Sequence, residues 1–193
     1  MMQVSVRPPL LSSVASLKAE MEMVGTDDRQ RSGRQRRRFG HAQDPGILDP
    51  YKRPGKMPEP AVCPQCGAVY QAGRWHWGTR PADAHDVVCQ ACHRINDRYP
   101  AGIVTIADTL TAKEKEDMLN LVRHQETAEK AEHPMNRIIA IDEGPGAIVI
   151  TTTDIHLPRR IGEAIERAFH GKHTRHFDEG GYFVRVNWSR GDA

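Results

Sequence analysis

Four cysteines are the residues in this chain whose type and spacing most clearly imply chemistry. Cys63 and Cys66 form one C-x2-C pair, Cys89 and Cys92 form a second, and 22 residues lie between them. A C-x2-C knuckle curls the backbone so that two thiolates face one ion, and two knuckles complete a tetrahedral shell of soft ligands. Pro64 stiffens the first knuckle, and Gly67 lets the following amides turn toward the sulfurs. Because all four cysteines are consumed, no position stays open for a substrate. The expected cofactor is therefore structural Zn2+.

Other chemistries use the same residues. Iron suits a tetrahedral four-sulfur site as well as zinc does. The run Cys63-Pro64-Gln65-Cys66-Gly67-Ala68-Val69-Tyr70 resembles a rubredoxin half-site, although Cys89–His93 lacks the matching Pro and Gly. Two disulfides require an oxidising compartment. A redox C-x2-C stands alone after a strand and opens a helix. A lobe of about forty residues buries too little apolar surface to fold unaided, and thiolate–zinc bonds supply folding energy on the order of 10 kcal/mol.

The second chemical signal is basic. Arg29, Arg31, Arg34, Arg36, Arg37 and Arg38 put six guanidiniums in ten residues with no acid among them. Such a run repels itself and has nothing apolar to bury, whereas phosphates accept its hydrogen bonds and release counterions on binding. A solvated solubility tail is the plainer reading. Between the cysteine pairs, Arg74, Trp75, Trp77 and Arg80 combine aromatics with cations, a pattern suited to stacking on unpaired bases. Against this, so small a lobe needs at least one tryptophan as core. Arg159 and Arg160 fall in the first turns of an expected helix, where the dipole disfavours cations. That placement suits an external anion or an ordinary solvated face.

Other features read as structural. His170, His173 and His176 recur every third residue, but the helix carrying them ends near Gly171, so the rings share no face. Asp142-Glu143 and Asp178-Glu179 precede glycines and read as hairpin tips. There is no phosphate loop, nucleophile elbow or H-E-x-x-H, so no residue argues for an enzyme.

The elements that must position these residues occupy only part of the 193-residue chain. A hydrophobic content of 38% with 13 prolines is lean for one packed globule, so part of the chain is expected to lack a core. The net charge of +2 is an average over unlike parts. Residues 1–60 hold 11 Lys+Arg against 7 Asp+Glu, and residues 61–193 hold 16 against 18. Seven prolines and little periodicity make residues 1–60 a disordered Arg-rich tail and linker. The longest aliphatic runs, such as Ala147–Ile150, are far too short to span a bilayer. Pro8 and Pro9 interrupt the apolar start and no A-x-A site follows, so the expected compartment is the reducing cytoplasm.

Order is expected from about Ala61. Residues 61–108 read as a zinc ribbon of short strands, closing with a strand over Ile103–Ile106. Thr111 with Glu114 is a capping box that opens a connecting helix, within residues 109–133, stopped by Pro134. Its stripe of Met118, Leu119 and Val122 is narrow, which suits a connector with one docked face. Residues 134–190 read as a ββαββ domain with one helix on an antiparallel sheet. Leu157, Ile161, Ala164, Ile165 and Ala168 share a helical face, and Tyr182, Val184, Val186 and Trp188 alternate along the last strand. The fold class is α+β.

The Cys63–Gly67 knuckle, the Cys89/Cys92 pair followed by Arg94-Ile95-Asn96, and Ile148–Asp154 leading into Arg159–Ala164 resemble a bacterial zinc-ribbon family. That family is similar to the amino-terminal region of the archaeal and eukaryotic large-ribosomal-subunit export adaptor, also known from nonsense-mediated decay. The resemblance spans about residues 44–190. It implies zinc and association with ribosomal RNA or the large subunit. The adaptor carries two cysteine quartets and this chain has one, so only RNA or ribosome association carries over. The function expected is a non-enzymatic RNA- or ribosome-binding protein. The alternatives are a protein–protein adaptor and a rubredoxin-like electron carrier.

Overall fold

The computed structural model describes residues 49–51, 55–107, 110–178 and 180–190. The fold is mixed α+β with two sheets. The smaller sheet holds β1 (Ala61–Val62), β2 (Val69–Gln71), β3 (Arg74–His76) and β4 (His85–Asp86), in the order β3-β2-β1-β4. Helix α1 (Gln90–Asp97) follows directly.

The larger sheet holds β5 (Gly102–Ile106), β6 (Ile138–Gly144), β7 (Ala147–Thr152), β8 (Lys172–Phe177) and β9 (Val184–Ser189). Its order is β6-β7-β5-β9-β8. The strand that the sequence reading assigns to the end of the ribbon is therefore the centre of the other sheet. Ile103 faces Thr151 on one side and Arg185 on the other. Hydrophobicity explains the position. Gly102, Val104 and Ile106 alternate along one face and all are buried, and a strand with a wholly buried face belongs in the middle, where the covering layer is deepest. The sheet also departs from the antiparallel expectation, because β5 and β9 run parallel while the remaining pairs are antiparallel.

Two helices cover one face of this sheet. Helix α2 (Ala112–Glu132) opens on the expected capping box, with Thr111 Oγ1 accepting from Glu114 N–H and the Glu114 carboxylate accepting from Thr111 N–H. Helix α3 (His156–Phe169) opens where the Asp154 carboxylate accepts from the N–H groups of His156 and Leu157. Met118 and Val122 of α2 are fully buried in the same core as Ile106, Ile150, Leu157, Ile161, Ile165, Val186 and Trp188. α2 is thus a core element rather than a connector. Five strands span about 20 Å and a helix covers about 10 Å, so one helix leaves half the face wet.

Order also begins earlier than Ala61. Asp49 and Tyr51 pack on α1, where Arg94 is buried, paired with Asp49 at 2.6 Å and lying 4.6 Å from the Tyr51 ring centre. A buried guanidinium needs a counterion and acceptors, and these two residues supply them. The remainder of the expected tail, residues 1–48 with the six arginines, lies outside the described residues.

Candidate metal centre

The knuckle is built by backbone bonds. Cys63 N–H donates to Ala68 O, and Gly67 N–H donates to Cys63 O, both at 2.8 Å. The turn needs Gly67 at φ +76°, a conformation that side chains resist. β2 and β3 then form a hairpin, and the chain returns through β4 to the second pair.

The second pair is not on a strand. Cys89 is the N-cap of α1, its sulfur accepting from Cys92 N–H at 3.4 Å, and Cys92 lies in the first turn. The lobe is a knuckle, a hairpin and a helix instead of an all-β ribbon. Residues 90–97 carry few apolar side chains, so periodicity did not reveal this helix. Its amphipathic face is made of Ala91, Cys92 and Arg94. A cysteine read as an N-cap would have found it, since a thiolate accepts from backbone amides as a carboxylate does.

The four sulfurs lie within 4.8 Å of one another and could hold a metal ion. Cys63 Sγ is 3.7 Å from Cys92 Sγ, and Cys66 Sγ is 3.8 Å from Cys89 Sγ. A tetrahedron with metal–sulfur bonds of about 2.3 Å has sulfur edges of about 3.8 Å. These separations far exceed the ~2.05 Å of a disulfide, and all four cysteines are free. Although the second pair opens a helix, it does not stand alone as a redox pair does. Among the described residues this is the one grouping of three or more potential ligands close enough for an ion.

Arg137, which precedes β6, completes the centre. Its Nη2 donates to Cys66 Sγ at 3.0 Å and reaches Cys89 Sγ at 4.0 Å, and its Nη1 donates to Cys92 Sγ at 3.4 Å. Nε donates to Pro134 O at 2.6 Å, and the guanidinium lies 5.9 Å from the Trp77 ring centre. Burial opposes the Arg137 charge, but the bonds to Cys66 and Cys92 outweigh it and raise its pKa. Burial also pushes the Cys89 and Cys92 thiols up. For Cys63, burial is outweighed by N–H groups of Cys89, Cys66 and Gln65, which bring it down to about 7. A cation on these sulfurs favours their thiolate forms, as metal ligation requires. The sequence reading did not single out Arg137, since nothing in its local pattern distinguishes it from a strand-end arginine.

The other expected site residues are dispersed. Trp75 packs on the cysteine cluster. Trp77 is partly exposed, but its indole N–H donates to Lys130 O at 2.6 Å, which ties the lobe to α2. Arg80 pairs with Asp86 at 2.7 Å, and Arg160 pairs with Glu129. Arg74 is exposed on β3, and Arg159 lines a cleft with Arg160. The histidines have separate roles: His170 O accepts from Trp188 Nε1, and His173 bonds Glu166 at 2.7 Å. Glu143 lies on β6 and pairs with Lys115, so the tight turn is Pro145-Gly146 instead. No helix among the described residues is long and apolar enough to cross a membrane.

Searches with protein-family models, against curated proteins and against solved structures find no match for this chain.

Proposed function

We propose that this chain is a non-enzymatic zinc protein that binds RNA or the ribosome in the cytoplasm. The four-sulfur centre favours a structural ion. Cys63, Cys89 and Cys92 are buried, and Arg137 donates to the sulfurs of Cys66 and Cys92. Zinc suits this set because it demands tetrahedral thiolates and no redox change. A colourless protein with one zinc per chain supports the assignment, and a red iron-containing protein overturns it.

The observation that carries the RNA reading is the run of six arginines in residues 29–38, free of acids. Arg74 and Arg159, which form no side-chain ion pair among the described residues, add cationic groups to the folded part. The resemblance to the ribosomal export adaptor points to the same partner. Co-sedimentation of the full chain with ribosomal subunits at low salt, lost at high salt, is the expected result. Migration only as free protein at both salts overturns it.

A protein–protein adaptor is favoured by one observation. Trp77, Arg80 and Arg160, three residues suited to RNA, are engaged with partners inside the fold. Salt-independent capture of a protein with no ribosomal RNA is its signature.

A further inference from the structure

The chain has three tryptophans, and two have satisfied indole N–H groups. Trp77 donates to Lys130 O and Trp188 donates to His170 O at 2.9 Å. Trp75 Nε1 is buried with no acceptor among the described residues. Arg159 Nε is also buried without an acceptor, and Arg159 makes no ion pair among the described residues. A buried donor left unmet loses its water without a replacement, so native structures retain few such groups. These two belong to residues on the wall of one cleft of about 630 Å3.

The charges around the cleft show what it lacks. Glu129 is engaged by Arg160 and by Asn136 Nδ2 at 3.1 Å, and Glu163 has Arg175 at 3.9 Å. Arg159 makes no ion pair with either of these carboxylates or with any other among the described residues. His133 and His156 also line the cleft and can donate from their rings. A ligand rich in acceptors and negatively charged fits these groups, whereas a cationic ligand does not. A carboxylate offers two oxygens and a phosphate monoester offers three, enough for an indole N–H, a guanidinium and an imidazole together. The volume falls within the range of small-molecule clefts, about 300–1,000 Å3. Trp75, Pro134 and Met135 offer apolar surface for an organic portion.

We propose that this cleft binds an organic phosphate of nucleotide size, with Trp75 Nε1 and Arg159 as its donors. The site goes beyond the RNA reading and does not depend on it. A free nucleotide and the phosphorylated end of an RNA present the same group.

The test uses the full-length, metal-loaded, 15N-labelled chain, whose three indole N–H signals are assigned with the Trp75→Phe and Trp77→Phe variants. It is titrated with adenosine 5′-monophosphate, with adenosine, and with a short RNA bearing or lacking a 5′-phosphate. The expected result is a saturable shift of the Trp75 signal with the monophosphate, no shift with adenosine, and an unmoved Trp188 signal. A shift with the 5′-phosphorylated RNA alone assigns the phosphate to an RNA end. Arg159→Gln is expected to weaken phosphate binding about 10–100-fold while the Trp188 signal stays in place. Trp75→Phe, which keeps the ring and removes the donor, is expected to weaken labelled monophosphate binding in equilibrium dialysis. No shift of Trp75 with any phosphate ligand, or unchanged affinity in both variants, overturns the proposal.

Discussion

The Arg137 guanidinium donates to Cys66 Sγ at 3.0 Å across 71 residues of chain. This bond joins the smaller lobe to the start of β6, and the same group donates to Cys92. A four-thiolate centre carries excess negative charge even with a divalent ion bound. A buried guanidinium offsets part of it where water cannot.

Arg137→Met is therefore expected to weaken metal binding about 10–100-fold, the usual cost of losing a group that supports ligands from outside the coordination shell. Competition with a chromophoric chelator measures it. Arg137→Lys, which restores charge without the two-pronged geometry, should fall between the two. Equal affinity in all three proteins would remove the role.

Cys89→Ser removes one of the four candidate metal ligands while leaving a hydroxyl that can still cap α1. The smaller lobe should lose its order, because metal binding supplies folding energy on the order of 10 kcal/mol in such sites. Limited proteolysis reports this as new cleavage within residues 61–100, and chelation of the wild-type metal should reproduce the pattern. Unchanged resistance in the variant would contradict it.

Glu114 ties the N-terminus of α2 to Arg190, accepting from the Thr111 hydroxyl and N–H and from the Arg190 guanidinium. These bonds, those of Thr111 foremost, hold its pKa down to about 2, against 4.5 ordinarily. A depressed carboxylate pKa gives stability that is complete above the unfolded value and lost as pH falls toward the folded one. The thermal midpoints of wild type and Glu114→Gln should differ above pH 4.5 and converge as pH approaches 2. A constant difference across that window would exclude the linkage.

Gly162 sits in α3 where the helix crosses β9. A Cβ there would lie 2.7 Å from Val186 Cγ1, and Val186 is buried and stiff at χ1. Gly→Ala in a helix ordinarily gains about 1 kcal/mol. Overpacking a core costs about 1–3 kcal/mol, and at this contact it should win. Urea unfolding is expected to show Gly162→Ala as the less stable protein, and a higher midpoint would reverse that reading.

If the six arginines of residues 29–38 engage six phosphates of single-stranded RNA, log affinity should fall with log salt at a slope of roughly −4. Replacing all six by Gln should flatten the slope, whereas a response already flat in the wild type would sink RNA binding by this segment.

Local patterns made much of the fold legible. The capping box at Thr111 and Glu114, the apolar face from Leu157 to Ile165, and the alternation of Val184, Val186 and Trp188 depend on neighbours within a few residues. Helical and strand periods write such relations directly into the chain. The four metal-ligand candidates were equally legible, because a C-x2-C spacing is itself the geometry of a knuckle. What only the tertiary structure decided was every relation between distant segments. Strand β5 lies at the centre of the larger sheet, since strand order depends on which buried faces meet and not on proximity in sequence. α2 became core because five strands need two helices over them. Arg137 reached the sulfurs, and Trp77 and Arg80 turned to internal partners, through long-range packing that leaves no local signature. Residue type and spacing thus determined which atoms can bind a metal, and the fold decided which charge stands beside them.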